Sequence, residues 1–202
     1  MRGCDMQDAP KPFEMPGFDV EELFRRTGVL REGHFLLTSG LHSAVYWEKF
    51  SILQYPEYAG IVCSMIAAHF RDRKPSVVVG PTTGGIILSF ETARQLGVRG
   101  IFAEKEGATR ALRRDFAVAP GEKVLLVDDI LTTGKSLIET LDAVHRVGGD
   151  VVGIGVMVDR SETPLDFGVE LYSCLRAPAV NYKPEDCPLC AAGVPVKKPG
   201  SS

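Results

Sequence analysis

Long apolar runs are missing from this chain. None approaches the roughly 18 residues of a membrane-spanning helix, and the first residues lack the apolar core of a signal peptide. A basic excess is missing too. The formal net charge is −3, whereas a face built for nucleic acid usually shows as surplus Lys and Arg. Cysteine is sparse: 5 among 202 residues, an odd number in no regular framework, which excludes a disulfide scaffold and favours reduced thiols. Cys187 and Cys190 have C-x-x-C spacing, but tetrahedral zinc takes four ligands. No second C-x-x-C and no His pair accompanies them, leaving Cys174 or a neighbouring subunit as the remaining sources. A tight C-terminal turn is the expectation there. What is present, 45% hydrophobic and 24% charged residues, suits one soluble globular domain with a substantial core, in the cytoplasm.

The chain is organised around residues 123–136, KVLLVDDILTTGKS. Val124, Leu125, Leu126 and Val127 are apolar without alternation, as in a strand covered on both faces. Asp128 and Asp129 follow where such a strand leaves its sheet. Thr132, Thr133, Gly134, Lys135 and Ser136 then make a small, hydroxylated turn, and Leu137, Leu141 and Val144 open a helix that stops at Gly148 and Gly149. Amides of such a turn and the positive helix end attract an anion. The acids stand where they can accept from sugar hydroxyls or approach a hard cation on the substrate. A nucleotide-triphosphate P-loop is excluded, because the position that requires its first Gly is Asp129. A lone Asp could merely cap a helix; two acids with this turn behind them indicate more.

A second turn of this kind lies at Pro81, Thr82, Thr83, Gly84 and Gly85, between the strand Val77, Val78, Val79 and a helix carrying Ile86, Ile87, Phe90, Ala93 and Leu96. Any βα unit needs one such turn. Two point to a ligand with phosphate groups at separate ends. A third strand at Ile101, Phe102 and Ala103 ends in Glu104 and Lys105. Residues 106–122 then read as an irregular, lid-like connection bearing Arg110, Arg113 and Arg114, whose guanidinium groups suit phosphate. The plainer reading is a solvated basic loop. A further apolar run over 150–158 ends at Asp159-Arg160, placing Arg160 on the ligand side of a parallel sheet unless it pairs with Asp159 or Glu162. Residues 33–50 give strand-like runs broken at Ser39-Gly40, either a cover over a site or a hairpin packed on the core. Pro56 opens a helix with Tyr58, Ile61, Val62, Met65 and Ile66 at helical spacing.

VLLVDDILTTGKS resembles the phosphoribosyl-pyrophosphate (PRPP) signature of the type I phosphoribosyltransferases. Together with GHFLLTSGLHS, VVVGPTTGGIILS, AEKEG, VDRS and CPLC, it resembles most the orotate-using branch of that family, over residues 20–190. The resemblance implies an α/β, type I phosphoribosyltransferase fold: a central, mostly parallel sheet flanked by helices, with a small N-terminal hood. It implies transfer of the 5-phosphoribosyl group of PRPP to orotate, giving orotidine 5′-monophosphate and pyrophosphate in pyrimidine (UMP) biosynthesis. Asp128, Asp129 and Lys105 are implied as catalytic. Lys105, Arg110, Arg113, Arg114, Asp128, Asp129, Ile130, Leu131, Thr132, Thr133, Gly134, Lys135 and Ser136 are implied as PRPP-binding, with Pro81 to Gly85 on the pyrophosphate and Thr132 with Arg160 on orotate. It also implies Mg2+ carried mainly by PRPP, no certain metal ligand of the protein's own, and a homodimer sharing the basic lid across its interface. Two departures from the family pattern stand out: Thr38 where a basic residue is common, and arginines without histidine in the lid.

The expected layout is a disordered leader over 1–17 and one phosphoribosyltransferase domain over 18–190, followed by a flexible tail over 191–202. Within that domain the hood spans about 28–50 and the core about 56–175. Two other functions share the signature: a PRPP-dependent transferase acting on a purine or other base, and a regulatory protein that senses PRPP. The second would want a basic face or an added DNA-binding segment, which the acidic balance does not supply.

Overall fold

The computed structural model describes residues 19–37 and 39–199. The leader expected over 1–17 and the departure at Thr38 lie outside the described residues. The chain begins with α1 (Val20–Arg26), capped by Asp19, whose carboxylate accepts the Glu21 N–H at 2.8 Å. It then forms an antiparallel pair, β1 (Leu30–Leu36) and β2 (His42–Trp47), joined at Gly40 with φ +83°. After the short α2 (Phe50–Leu53), Pro56 supplies the preset first turn of α3 (Pro56–Phe70).

From there strands and helices alternate: β3 (Val77–Pro81), α4 (Gly84–Leu96), β4 (Arg99–Glu106), β5 (Thr109–Leu112), β6 (Lys123–Leu131), α5 (Lys135–Arg146), β7 (Asp150–Asp159) and β8 (Leu171–Arg176). A two-stranded-ladder residue pair, β9 (Asn181–Tyr182), returns to the edge of β2, and a single turn, α6 (Pro188–Ala191), follows. The main sheet has the order β5-β4-β3-β6-β7-β8 and is parallel except at β5; the smaller sheet is β1-β2-β9.

The absence of alternation in β3 and β6 has the expected cause. Val78, Leu125 and Val127 enter one core with Ile66 and Phe70 of α3 and Leu88 of α4. Val77, Val79, Val124 and Leu126 enter the other, against Leu137 and Val144 of α5. Each of these buried side chains contributes about 1.5–3 kcal/mol relative to an exposed one. The connection runs from β3 outward to β4 in one direction and from β6 to β7 and β8 in the other. The winding therefore reverses between β3 and β6, where parallel sheets open a crevice at their carboxyl ends.

Three expectations are corrected. Residues 106–122 are not irregular throughout: the chain turns at Gly107 (φ +61°) and returns as β5, pairing Lys105 with Arg110 and Glu104 with Ala111. Four residues on a sheet edge are too few to carry a periodic signal. β6 continues through both acids to Leu131, because the ladder to β7 pairs Asp128 with Val156 and Leu131 with Asp159. In the segment expected to be a flexible tail, Lys197 N–H donates to the His34 carbonyl at 2.8 Å and its own carbonyl accepts the Leu36 N–H at 2.9 Å. The covering hairpin and the end of the chain are thus one structure.

Candidate active site

Both acids sit at the crevice and neither faces solvent; Asp128 and Asp129 are 5% and 4% exposed. Asp128 accepts the Ser136 hydroxyl at 2.6 Å and the Asp129 N–H at 2.8 Å. Asp129 accepts the Ile130 N–H at 2.6 Å and forms an ion pair with Lys49 Nζ at 2.8 Å. Burial, reinforced by the neighbouring Asp129 carboxylate, pushes the Asp128 carboxyl up to about 7 from an ordinary 3.8. Ser136 and the distant Lys49 charge only partly oppose that shift. A carboxylate held this way has room for a further electropositive partner.

The second turn closes directly on these acids. A Cβ on Gly84 would lie 1.8 Å from Asp129 Oδ2, and one on Gly80 would lie 2.1 Å from the Gly85 carbonyl oxygen. Only glycine permits the start of α4 to come so near the end of β6. Gly134, at φ +76°, does the corresponding service for the other turn: it releases α5, whose first N–H groups lack intrahelical partners, toward residues 132–134.

Two adjoining clefts share Thr132 and Thr133. The smaller, about 270 Å³, is lined by Lys105, Arg110, Ile130, Leu131, Gly134, Lys135 and Ser136 with Glu139. Arg110 is 5% exposed and is fixed by bonds to the Thr82 hydroxyl at 3.1 Å and the Ala103 carbonyl at 3.2 Å. Arg113 and Arg114 do not join it. Both are exposed, Arg113 facing Glu106 at 3.7 Å and Arg114 gripping Glu104 at 3.0 Å. Arg110 lies within β5, whereas the other two lie beyond its end.

The larger cleft, about 790 Å³, lies between the hood and the loop after β7, and its walls include Leu36, Leu41, Tyr46, Arg160, Ser161 and Asn181. Arg160 is 9% exposed, its guanidinium 5.7 Å from the Trp47 ring. Asp159, one of the two acids that could have silenced it, is taken elsewhere. Asp159 holds Arg176 and both the N–H and hydroxyl of Ser161. Among the described residues, Arg160 Nε and Nη2 have no hydrogen-bond partner, and burial lowers its pKa. An unsatisfied cation in a half-enclosed cleft is a receptor for a planar anion.

The sequence reading brought together Asp128, Asp129, the two turns, Lys105 and Arg160 at one end of the sheet, and there they stand. It missed Lys49, which lies outside every motif; its signal was a lone cation two residues past the end of β2. The hood, expected either to cover a site or to pack on the core, supplies Tyr46 to the larger cleft and Trp47 beside Arg160; neither was singled out, nor was Pro199, which reaches the same cleft.

A crevice at the winding reversal, with acids on one strand and small-residue turns on two, defines a phosphoribosyltransferase domain. The family described as "Phosphoribosyl transferase domain" matches residues 51–189. Within it, an orotate phosphoribosyltransferase of Pelotomaculum thermopropionicum is 49% identical over 183 residues, 91% of this chain and 96% of that one. One from Caldanaerobacter subterraneus subsp. tengcongensis is 46% identical over 182 residues, 90% of this chain and 96% of that one. The crystal structure of orotate phosphoribosyltransferase from Aeropyrum pernix superposes with a TM-score of 0.68 at 25% identity, covering 78% of this chain and 93% of that chain. The chain belongs to the orotate phosphoribosyltransferase family.

Proposed function

We propose that the protein transfers the 5-phosphoribosyl group of PRPP to N1 of orotate, releasing pyrophosphate and forming orotidine 5′-monophosphate for pyrimidine biosynthesis. The observation that carries the acceptor is Arg160, a buried guanidinium with two unsatisfied nitrogens in the cleft that adjoins the acids. A purine offers it no carboxylate; orotate does.

Asp128 and Asp129 accept from the ribose hydroxyls, while residues 130–136 hold the 5′-phosphate at the start of α5. The Pro81–Gly85 turn, Lys105 and Arg110 receive the pyrophosphate, and Thr132 and Arg160 hold orotate. The C1–oxygen bond breaks with its electron pair leaving on pyrophosphate, N1 of orotate forms the new bond, and the N1 proton passes to the departing pyrophosphate or to solvent. Positive charge on the ribose ring is favoured by the neighbouring acids, and negative charge on the leaving group by Lys105 and Arg110. Magnesium suits the site: Asp128 and Asp129 are the hard oxygen donors it takes, and the raised Asp128 carboxyl is short of countercharge. Asp128 and Asp129 would stand beside an ion carried chiefly by PRPP, and it would supply further neutralisation of the pyrophosphate.

The basic lid belongs to a dimer. Arg113 and Arg114 lie on an exposed edge hairpin and reach neither cleft of their own chain, which leaves them free to serve a neighbour. The described cysteines are free thiols, and none of the described helices is long and apolar enough to cross a membrane; the cytoplasm suits both facts.

Direct turnover tests the reading. Orotate with PRPP yields orotidine 5′-monophosphate and pyrophosphate, chelation stops the reaction and added magnesium restores it. Pyrophosphate release with adenine but not orotate would overturn the acceptor; PRPP binding without turnover of any base would make the protein a sensor.

A further inference from the structure

The hood and the chain end meet at a cluster outside both clefts. His34 of β1 and His42 of β2 lie diagonally across their ladder, since Leu36 pairs with His42. α6 brings Cys187 and Cys190 against them. His34 Nε2 lies 2.8 Å from His42 Nδ1, 3.5 Å from Cys187 Sγ and 3.8 Å from Cys190 Sγ; Cys190 Sγ lies 3.3 Å from His42 Nδ1. All four donor atoms fall within 4.8 Å of one another.

A tetrahedral zinc ion with Zn–S of about 2.3 Å and Zn–N of about 2.0–2.1 Å separates its ligands by roughly 3.6 Å for sulfur to nitrogen and roughly 3.3 Å for nitrogen to nitrogen. Four of the cluster's separations lie near these values, with the histidine nitrogens closer, and its remaining pairs lie within 4.8 Å. Its protonation pattern points the same way. His34 Nδ1 lies 2.7 Å from the Val194 carbonyl, which can only accept, so that nitrogen carries the proton and Nε2 presents a lone pair inward. Three other groups converge on that single lone pair. Hydrogen bonds among them can satisfy one approach, whereas a cation satisfies all four groups together. His34, His42 and Cys187 are 2%, 7% and 3% exposed, while Cys190 is exposed and gives an ion its way in.

We propose that Cys187, Cys190, His34 and His42 form a structural zinc site that fastens the end of the chain to the hood. Two thiolates and two imidazoles select zinc over magnesium or calcium, which take oxygen. Four protein ligands leave no open position, so the ion is a clamp rather than a catalyst. The clamp continues the contact made by Lys197 with β1, and the joined segments supply Leu36, Tyr46 and Pro199 to the larger cleft. The C-x-x-C pair therefore has its missing partners within its own chain, on strands about 150 residues earlier.

The full chain, purified with reductant and dialysed against metal-free buffer, is measured by mass spectrometry for metals. About one zinc per chain is expected. Cys190→Ser and His42→Asn should each weaken zinc binding by more than about 100-fold, since even an outer partner of a zinc ligand is worth roughly 10–100-fold. Because either variant could lose its fold, the unaltered protein is also stripped and refilled with cobalt. The intense visible bands of tetrahedral cobalt, with a sulfur-to-metal charge-transfer band, support the site. A pale octahedral cobalt spectrum overturns it. So does failure of the reduced protein to take up added zinc, or full zinc retention in both variants.

Discussion

Arg160 has two guanidinium nitrogens without a hydrogen-bond partner among the described residues, and burial raises the Asp128 carboxyl. Arg160→Ala should raise the orotate KM by about 10²-fold or more while moving that of PRPP little, because it removes a charge-assisted pair at one end of the site only. Equal effects on both constants would refute its placement beside the base. Asp128 titrates upward, to about 7, so the folded chain holds a proton between about 4 and 7 that the unfolded chain has already lost. The ligand-free protein should therefore lose stability as pH rises through that window. Asp128→Asn, with no proton to release, should melt at a nearly constant temperature across it. Differential scanning calorimetry at the two ends of the window compares the slopes. The pairing of Asp129 with Lys49 was not legible beforehand, because Lys49 lies in the turn before α2, Asp129 lies on β6, and no spacing along the chain relates them. The grouping of Arg110 with Arg113 and Arg114 was legible only as charge; which one turns inward depends on a four-residue strand.

Elements were read well where the pattern is local and long. β3, β6 and β7 announce themselves as uninterrupted apolar runs, and α3, α4 and α5 as helical spacing bounded by Pro56, by the PTTGG turn or by Gly148. β5 and β9 escaped because each is short and gains its definition from a partner strand. The junction of α4 with β6 is the element contact on which the site depends. Gly84→Ala inserts a methyl group where Asp129 Oδ2 stands, 1.8 Å from the new Cβ. Turnover should fall by about 10²-fold or more, as for loss of one transition-state contact. The helix itself, with alanine in place of glycine near its start, should keep its thermal stability. Steady-state kinetics beside a melting curve separates the two effects. A parallel loss of stability would mean that the strand, rather than the carboxylate, had moved.

At the scale of the whole molecule, a mostly parallel sheet followed from alternation of strands and helices, and the position of the site at its carboxyl ends followed from that; the strand order did not. Nor did the union of hood and chain end, since it pairs segments far apart along the chain, His42 with Tyr182 and Phe35 with Lys197. The proposed dimer gives a further test. Asp129→Asn breaks a site but spares its lid, and Arg113→Ala with Arg114→Ala breaks a lid but spares its site. If the lid serves the neighbouring subunit, mixing these two inactive proteins rebuilds one good site in each hybrid and restores roughly a quarter of normal activity for random pairing. No recovery, with hybrids shown to form by mass spectrometry, would place the lid over its own chain.

The strand reversal between β3 and β6 has a consequence for how such a molecule diversifies. Asp128, Asp129 and both small-residue turns hang on two adjacent strands, β3 and β6. Besides the turn after β6, the larger cleft is walled by the hood, the loop after β7 and the segment beyond β8. Exchange of those peripheral pieces re-aims the donor toward a new base while the inherited handle for the activated ribose stays as it is.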